Sequence, residues 1–496
     1  MTRTTWISLA ALLALATGGC AVGPDFHRPA APDTDRYTAA QLPEQTASAP
    51  TAGGETQRFV AGQDVPAQWW TMFGSAELNA LVDAALRANP DLQAMEAALR
   101  VARENLAAQR GAFFPSVDAH YTPTRQKVAQ EVASPLSNNS DLFTLHTAQL
   151  TVSYSPDVFG GIRRQVEAGA AQADVARFQW HAAYLALTTN VVNAAIQEAS
   201  LRAQIRTTHD IIELSRRQLD AVRKQRQTGQ VGAAEVAAQE AAVAQAETAL
   251  PPLEKQLAQQ RNLLAVLAGQ LPSQEVTQHF ELDSLNLPTE LPLSLPSTLV
   301  EQRPDIRAAE AQMHAASAQI GVAKAARLPN VMLTADLGSS ALTLSKLFTS
   351  GTGFWGLTAD LTQPIFRGGA LMHQQRAAEA AYRQASAQYR STVLAAYQNV
   401  ADTLHAIDAD AKSLRAALNA EQAASRSFDV AQRQWKAGLI GYPAVMLAEQ
   451  TWRQAVVGLV QSRASRYTDT VALMLALGGD WEHRAEHEAD KAPPGN

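Results

Sequence analysis

The stretch NPDLQAMEAALRVARENLAAQRGAFFP (89–115) returns later in the chain as RPDIRAAEAQMHAASAQIGVAKAARLP (303–329). Pro304 follows Pro90 by 214 positions, and Pro329 follows Pro115 by the same distance. Chance rarely holds a register over so many residues. The pattern therefore predicts a chain built from two structurally equivalent repeats.

Two further matches extend the repeats. SPDVFGG (155–161) corresponds to QPIFRGG (363–369), and TGQVGAAEV (228–236) corresponds to AGLIGYPAV (437–445). Each repeat is predicted to contain a helix, two strands, a very long helix, a glycine turn and a return helix. In the first repeat (67–285) we expect strands at about 116–128 and 145–157, a long helix at 162–228, a tip at 229–232 and a return helix at 233–268. In the second repeat (286–481) we expect strands at about 330–342 and 354–364, a long helix at 370–437, a tip at 438–441 and a return helix at 442–477.

The long helices exceed the depth of any single globular core. Residues 370–437 contain neither Gly nor Pro, and at ~1.5 Å per residue such a helix reaches roughly 100 Å. In the first repeat, the return helix is expected to kink at Pro251 and Pro252. Such helices fit side-by-side packing through small residues, although a plain coiled-coil rod has the same signature.

The strands argue against a rod. Trp355, Leu357, Ala359 and Leu361 alternate with small or polar residues, and the same alternation occurs in the three other predicted strands. A transmembrane β-barrel alternates in this way, with apolar residues toward lipid and polar residues toward the lumen. A half-buried soluble sheet shows the same pattern, and the alternation alone favours that alternative.

Strand number adds a constraint. Two strands in each repeat give four per chain, and an open sheet of four strands in lipid would leave backbone groups at its edges without partners. Closure therefore requires several chains. Three chains would supply twelve strands, forming a barrel that long helices continue.

The N-terminus predicts export. Residues 1–19 have the basic, apolar and small-residue layout of a signal peptide, and Cys20, the single cysteine of the chain, follows directly. One cysteine cannot form an internal disulfide, and its position resembles a bacterial lipidation site, with an unmodified thiol as the alternative. We expect residues 20–66 to form a lipidated arm, extended or poorly ordered. Residues 482–496 are expected to be a disordered tail.

Composition and motifs exclude several functions. A net charge of −6 gives no basic footprint for nucleic acid, and the catalytic motifs of hydrolases, metalloproteases and nucleotide-binding enzymes are absent from the sequence. His483 and His487 have a helical metal-ligand spacing, but solvated side chains in an acidic tail explain them better, so no metal or other cofactor is expected beyond a lipid on Cys20. A periplasmic adaptor would share long hairpins but lack the duplicated strand pairs.

The order of several motifs is similar to that of the outer membrane factors of tripartite efflux and type I secretion systems, in the TolC-like, NodT-type lipoprotein branch. These motifs are CAVGPDFHRP (20–29), WWTMFGSAELNALVDAALRANPDL (69–92), QPIFRGG (363–369), VADTLHAI (400–407), the paired glycine turns and LALGGDW (475–481). The resemblance implies a mainly α homotrimer, with a twelve-stranded β-barrel in the outer membrane and a long α-helical barrel in the periplasm. It also implies a passive channel that works with a periplasmic adaptor and an inner-membrane transporter of the RND type. Type I secretion and a non-channel helical scaffold are the alternatives.

The same resemblance assigns roles to residues near the tips. The turns at Gly229 and Gly232 and at Gly438 and Gly441 correspond to the tips that meet the adaptor, with a simple helix cap as the alternative role. A carboxylate commonly forms a constriction on the second return helix of the family. Leu447 occupies that position here, which favours an apolar constriction with Tyr442, while Glu449 is expected to point away from Leu447.

We predict that Cys20 carries the lipid anchor. Metabolic labelling with a fatty acid should mark the wild-type chain and leave Cys20→Ser unmarked. Several acyl chains at ~0.8 kcal/mol per buried CH₂ would hold the N-terminus at a membrane. Equal labelling of both proteins would overturn the assignment, whereas membrane residence of the variant would not, because the strands provide a second attachment.

Overall fold

A computed structural model describes residues 21–40, 43–129, 131 and 140–479. Within these ranges, helices alternate with pairs of antiparallel strands. The predicted signal peptide, Cys20, His483, His487 and the expected disordered tail lie outside the described residues.

Nine α-helices and six β-strands form in the described ranges. The helices are α1 (Ala76–Ala88), α2 (Pro90–Arg110), α3 (Gly161–Gln227), α4 (Ala233–Thr248), α5 (Leu250–Leu267), α6 (Pro296–Gln302), α7 (Pro304–Ala325), α8 (Ala370–Lys436) and α9 (Tyr442–Leu477). The strands are β1 (Arg58–Ala61), β2 (Ser116–Lys127), β3 (Leu142–Tyr154), β4 (Glu290–Leu293), β5 (Asn330–Ala341) and β6 (Gly353–Thr362). β3, the second predicted strand of the first repeat, begins slightly before its expected position.

The chain divides into two compact units that do not follow the repeats. Among the described residues, a strand unit contains 21–28 together with those within Leu99–Ala176 and Ala309–Tyr389. A helical unit contains those within Pro29–Ala98 and Arg177–Ala308 together with 390–479. Each repeat therefore contributes to both units.

The strand unit holds a four-stranded antiparallel sheet in the order β2-β3-β5-β6. Its register brings the predicted apolar positions into common rows, such as Ala119, Leu150, Leu337 and Trp355. Trp355 is 79% exposed, and the rest of this face is also largely uncovered. On the opposite face Thr151 donates a hydrogen bond to Asp336 (2.7 Å). The sheet thus has one apolar and one polar face, as the alternation predicted.

The long helices form where helix breakers are rare: α8 contains neither Gly nor Pro, and Gly169 is the one glycine inside α3 beyond its first residue. α3 and α8 each span 67 residues, and the first return helix is divided at Ala249, with Pro251 and Pro252 in the opening turns of α5. Proline is tolerated there because the first amide groups of a helix lack intrahelical acceptors. None of the described helices combines the length and apolar character that a membrane span requires.

Part of the N-terminal arm is packed, so the expectation of poor order is wrong for the residues around Gln57. Gln57 is buried and donates to Thr470 Oγ1 (2.9 Å), and Arg466 donates to Gly53 O (2.9 Å) and to Gln57 Oε1 (2.8 Å). Burial lowers the pKa of Arg466. β1 of the arm also pairs in parallel with β4. A polar, proline-rich segment is ordered here because buried groups on α9 satisfy its backbone and side chains.

Candidate functional site: the helical tips

Both long helices end in a Gly-x-x-Gly turn with the same hydrogen bonds. The amide of Gly229 donates to Arg226 O (3.0 Å) and that of Gln230 to Gln225 O (2.9 Å). In the second repeat Gly438 donates to Trp435 O (2.9 Å) and Leu439 to Gln434 O (2.9 Å). This pair of bonds is the Schellman motif, which satisfies the last free carbonyls of a helix.

The two glycines of each turn have different conformations. Gly229 and Gly438 are left-handed, with φ of 76° and 73°. Gly232 (φ −85°, ψ −178°) and Gly441 (φ −74°, ψ 154°) are extended and serve as N-caps of α4 and α9. The amide of Gly232 donates to Glu235 Oε2 (3.0 Å). Only the first glycine of each turn is therefore a helix C-cap, while the second begins the return helix.

A hydrophobic core supports the turns. It contains residues from both long helices and both return helices, namely Leu219, Val222, Val236, Val243, Phe428, Ala431, Tyr442 and Val445. Val231 and Ile440, the residues before the second glycine of each turn, pack against this core. The tips are thus fixed by apolar contacts as well as by their caps.

Tyr442 belongs to this core, and its predicted place in a constriction is corrected. Its side chain is 4% exposed, its ring packs against Trp435 at 4.9 Å, and its hydroxyl donates to Gln239 Oε1. Burial raises the pKa of the Tyr442 hydroxyl. Tyr442 begins α9 and turns into the seam between helices, a placement that depends on neighbouring helices and is not visible in the local sequence.

Leu447 and Glu449 both line one groove but differ sharply in exposure. Leu447 is 67% exposed and Glu449 is 1% exposed. Leu447 lies in a groove of 1190 Å³ whose lining includes alanines of α4 and glutamines of α9. An exposed apolar side chain at this place is available to contact another chain or a solute.

Glu449 anchors a buried polar network that was not predicted from the sequence. Arg453 donates to Glu449 Oε1 and to Ser215 Oγ, and Ser215 donates to Glu449 Oε1 (3.4 Å). The amide nitrogen of Gln218, in the orientation that satisfies both ends of its side chain, donates to Glu449 Oε2 (2.9 Å). The i, i+4 spacing of Glu449 and Arg453 was the available sequence signal.

Burial raises the pKa of Glu449, although Arg453 and Ser215 oppose the shift by favouring the carboxylate. Desolvation of the charged form therefore outweighs the attraction of the guanidinium. Among the described residues, no group of three or more His, Cys, Asp or Glu side chains could hold a metal ion.

The family model described as outer membrane efflux protein matches residues 81–270 and 295–479. The chain belongs to the outer membrane efflux protein family. This membership makes it an outer membrane channel of a tripartite efflux system and not an enzyme.

Relatives of this efflux channel carry consistent descriptions. This chain is 29% identical to a probable efflux pump outer membrane protein, TtgC, of Pseudomonas putida over 95% of both chains. It is 30% identical to the pyoverdine export outer membrane protein OpmQ of Pseudomonas putida, over 88% of this chain and 93% of that protein.

Solved channels share its fold. The outer-membrane channel OprN has a TM-score of 0.82 at 25% identity, covering 93% of this chain and all of that one. The outer membrane protein VceC of Vibrio cholerae has a TM-score of 0.79 at 28% identity, covering 84% and 99%. The predicted fold class, mainly helical with a membrane strand region, is confirmed.

The two glycines of a tip should differ in their response to alanine. A Cβ at Gly438 meets no atom within 4 Å, and at Gly441 it meets only Pro443 at an ordinary 3.5 Å, so packing does not separate the sites. We expect Gly438→Ala to reduce the opening free energy of the tip by about 1–2 kcal/mol, the cost of a side chain in the left-handed region. Gly441→Ala should cost less, about 0.5 kcal/mol, because its extended φ accepts a side chain and only the weaker N-cap preference of alanine opposes the change. Hydrogen exchange of the amides at the end of α8 measures both, and equal effects would contradict this assignment.

The Glu449 network should make the second tip pH-sensitive. Because the pKa of Glu449 is raised in the folded chain, the folded state binds the proton more tightly than the unfolded state does. Its contribution to stability is therefore greatest below the ordinary glutamate pKa of 4.5 and falls as the pH rises from there toward the folded pKa. Hydrogen exchange, corrected for the intrinsic pH dependence of the rate, should show this decline in the wild type and not in Glu449→Gln.

A matched control is Glu247→Gln, which alters an exposed ion pair with Arg216 (2.6 Å). That variant should keep the wild-type pH profile of the tip. Protection that grows from about pH 4.5 to neutrality in the wild type would show that Arg453, rather than burial, decides the state of Glu449.

Proposed function

We propose that three copies of this chain form a passive conduit for small molecules across the outer membrane, in the manner implied by the family. The four-stranded sheet carries this proposal. The outer edges of β2 and β6 have no strand partner within the described chain, and the adjoining face is apolar and exposed. Three such sheets joined edge to edge give twelve strands and satisfy the backbone in lipid.

The helical tips support an interaction with a periplasmic adaptor. By chain distance the tips are the helical points furthest from the strands, and their turns expose Gln230 in the first repeat and Leu439 in the second. The names of relatives refer to antibiotic, toluene and pyoverdine export, which favours small-molecule cargo and an inner-membrane transporter of the RND type. A lipid on Cys20 would add a second membrane attachment.

Leu447 is proposed as the apolar constriction, without Tyr442. Three exposed leucines converging on a narrow lumen would exclude water and ions. We expect Leu447→Asp to raise the conductance of reconstituted trimers in planar bilayers severalfold.

In cells that lack other outer membrane efflux channels, the wild-type chain with its transporter and adaptor should raise tolerance to small drugs.

Leu439→Asp is the matched control, because Leu439 is a similarly exposed apolar residue of the same tip but precedes the return helix. It should leave the conductance unchanged. An unaltered conductance in Leu447→Asp would place the constriction elsewhere. Export of a polypeptide without any gain in drug tolerance would favour a type I secretion channel.

A further inference from the structure

A groove of 540 Å³ lies on the sheet of the strand unit. Its lining comes from three consecutive rows of the register: Ala119, Leu150 and Leu337; His120, Gln149 and Gly338; and Tyr121, Ala148 and Ser339. Since strand side chains alternate, the two outer rows project from the apolar face and the middle row from the opposite face. Leu150 and Leu337 are both exposed. The groove is therefore an apolar depression on the face that we assign to lipid.

The loop between β5 and β6 completes the groove. Ser339, which belongs to the apolar face, donates to Leu347 O, and the hydroxyl of Thr352 donates to the same oxygen (3.0 Å). These bonds fix the loop, with Leu347 buried and Phe348 lining the groove. The Phe348 side chain is nevertheless 82% exposed. A phenyl ring held at the rim of an apolar groove is suited to an apolar ligand rather than to water.

Positive charge follows the groove on the same face. β2 continues from Tyr121 to Arg125 and Lys127, which share its alternation and are exposed. At a rise of roughly 3.3 Å per residue they lie about 13 and 20 Å beyond Tyr121. Neither forms an ion pair within the described part of the chain. Between groove and cations, the Tyr121 hydroxyl is hydrogen-bonded to His146 Nδ1 (2.9 Å) and the two rings stack.

The order of groove and cations along β2 matches the orientation of a lipid in the outer leaflet. β2 begins next to α2 and β3 ends next to α3, so the cations lie at the ends of the strands that are remote from these helices. If the helices are periplasmic, as the proposed function requires, these strand ends face the cell exterior. A lipid there points its head group outward and its acyl chains inward, so its phosphate would meet the cations and a chain would meet the groove. Arginine pairs well with phosphate because its donors form a planar fork.

We propose that this face binds one phosphorylated lipid of the outer leaflet, with an acyl chain in the groove and a phosphate against Arg125 and Lys127. The site combines apolar shape with charge, which an ordinary lipid-facing surface does not require. A lipid with a zwitterionic head group would gain less from the two cations.

The test uses the full-length trimer, purified in mild detergent, delipidated and offered equal amounts of diphosphorylated lipid A and phosphatidylethanolamine. Native mass spectrometry should show preferential retention of lipid A by the wild type. Arg125→Gln with Lys127→Gln should reduce that preference about thirtyfold, which corresponds to about 2 kcal/mol for two cations near an anionic surface. Ala148→Phe should fill the groove and reduce retention of both lipids. Lys255→Gln, which removes an exposed cation on α5, should change neither.

Three results would overturn the proposal: equal retention of both lipids by the wild type, an unchanged preference in the double variant, or full retention by Ala148→Phe. Dephosphorylated lipid A offered to the wild type tests the charge without any substitution, and equal binding of both forms would also reject the site. Single-channel conductance of the same preparations reports on channel function separately, so lost lipid preference with normal conductance is expected of the double variant.

Discussion

Backbone pairing in lipid is the constraint on which the rest of the structure depends. A sheet in the order β2-β3-β5-β6 has two outer edges, and no water is available in a bilayer to satisfy them. A single chain is therefore incomplete in the membrane. The tandem repeat doubles the strand pair within one chain, and the proposed assembly with further chains would pair the two remaining edges. One long helix follows each strand pair in the chain, α3 after β3 and α8 after β6.

The helical unit is held together differently from the sheet, because its helices carry few large apolar residues. Its seams combine small side chains with buried polar groups, such as Glu198, which is bonded to both Arg202 (2.8 Å) and Arg261 (2.9 Å). Buried ion pairs add little net stability, since desolvation offsets attraction. They do penalise any shift between helices that would separate the partners. Glu449 and Arg453 act in the same way beside Ser215 of α3.

The sequence predicted features whose signal is periodic and local. Strand faces follow from alternation, the lengths of the two longest helices from the scarcity of Gly and Pro, and tips from the spacing of Gly229 with Gly232 and of Gly438 with Gly441. It failed where partners are distant in the chain. Gln57 is ordered by Arg466, 409 positions away, and Tyr442 is drawn into a core that only the neighbouring helices create. No local pattern encodes such contacts. The expected roles of Cys20 and of the tip glycines in binding remain predictions.

The two tips share a backbone and differ in chemistry. Gly-Gln-Val-Gly and Gly-Leu-Ile-Gly close with the same hydrogen bonds and insert the same kind of apolar residue into the core, yet the first presents an amide and the second an isobutyl group. In a ring of three chains, backbone geometry would approximate sixfold symmetry while surface chemistry would repeat only threefold. A partner built from identical subunits would then meet two kinds of tip in alternation. The duplicated tips have kept the same backbone but not the same exposed side chains, so the surface of each kind of tip can change without altering the other.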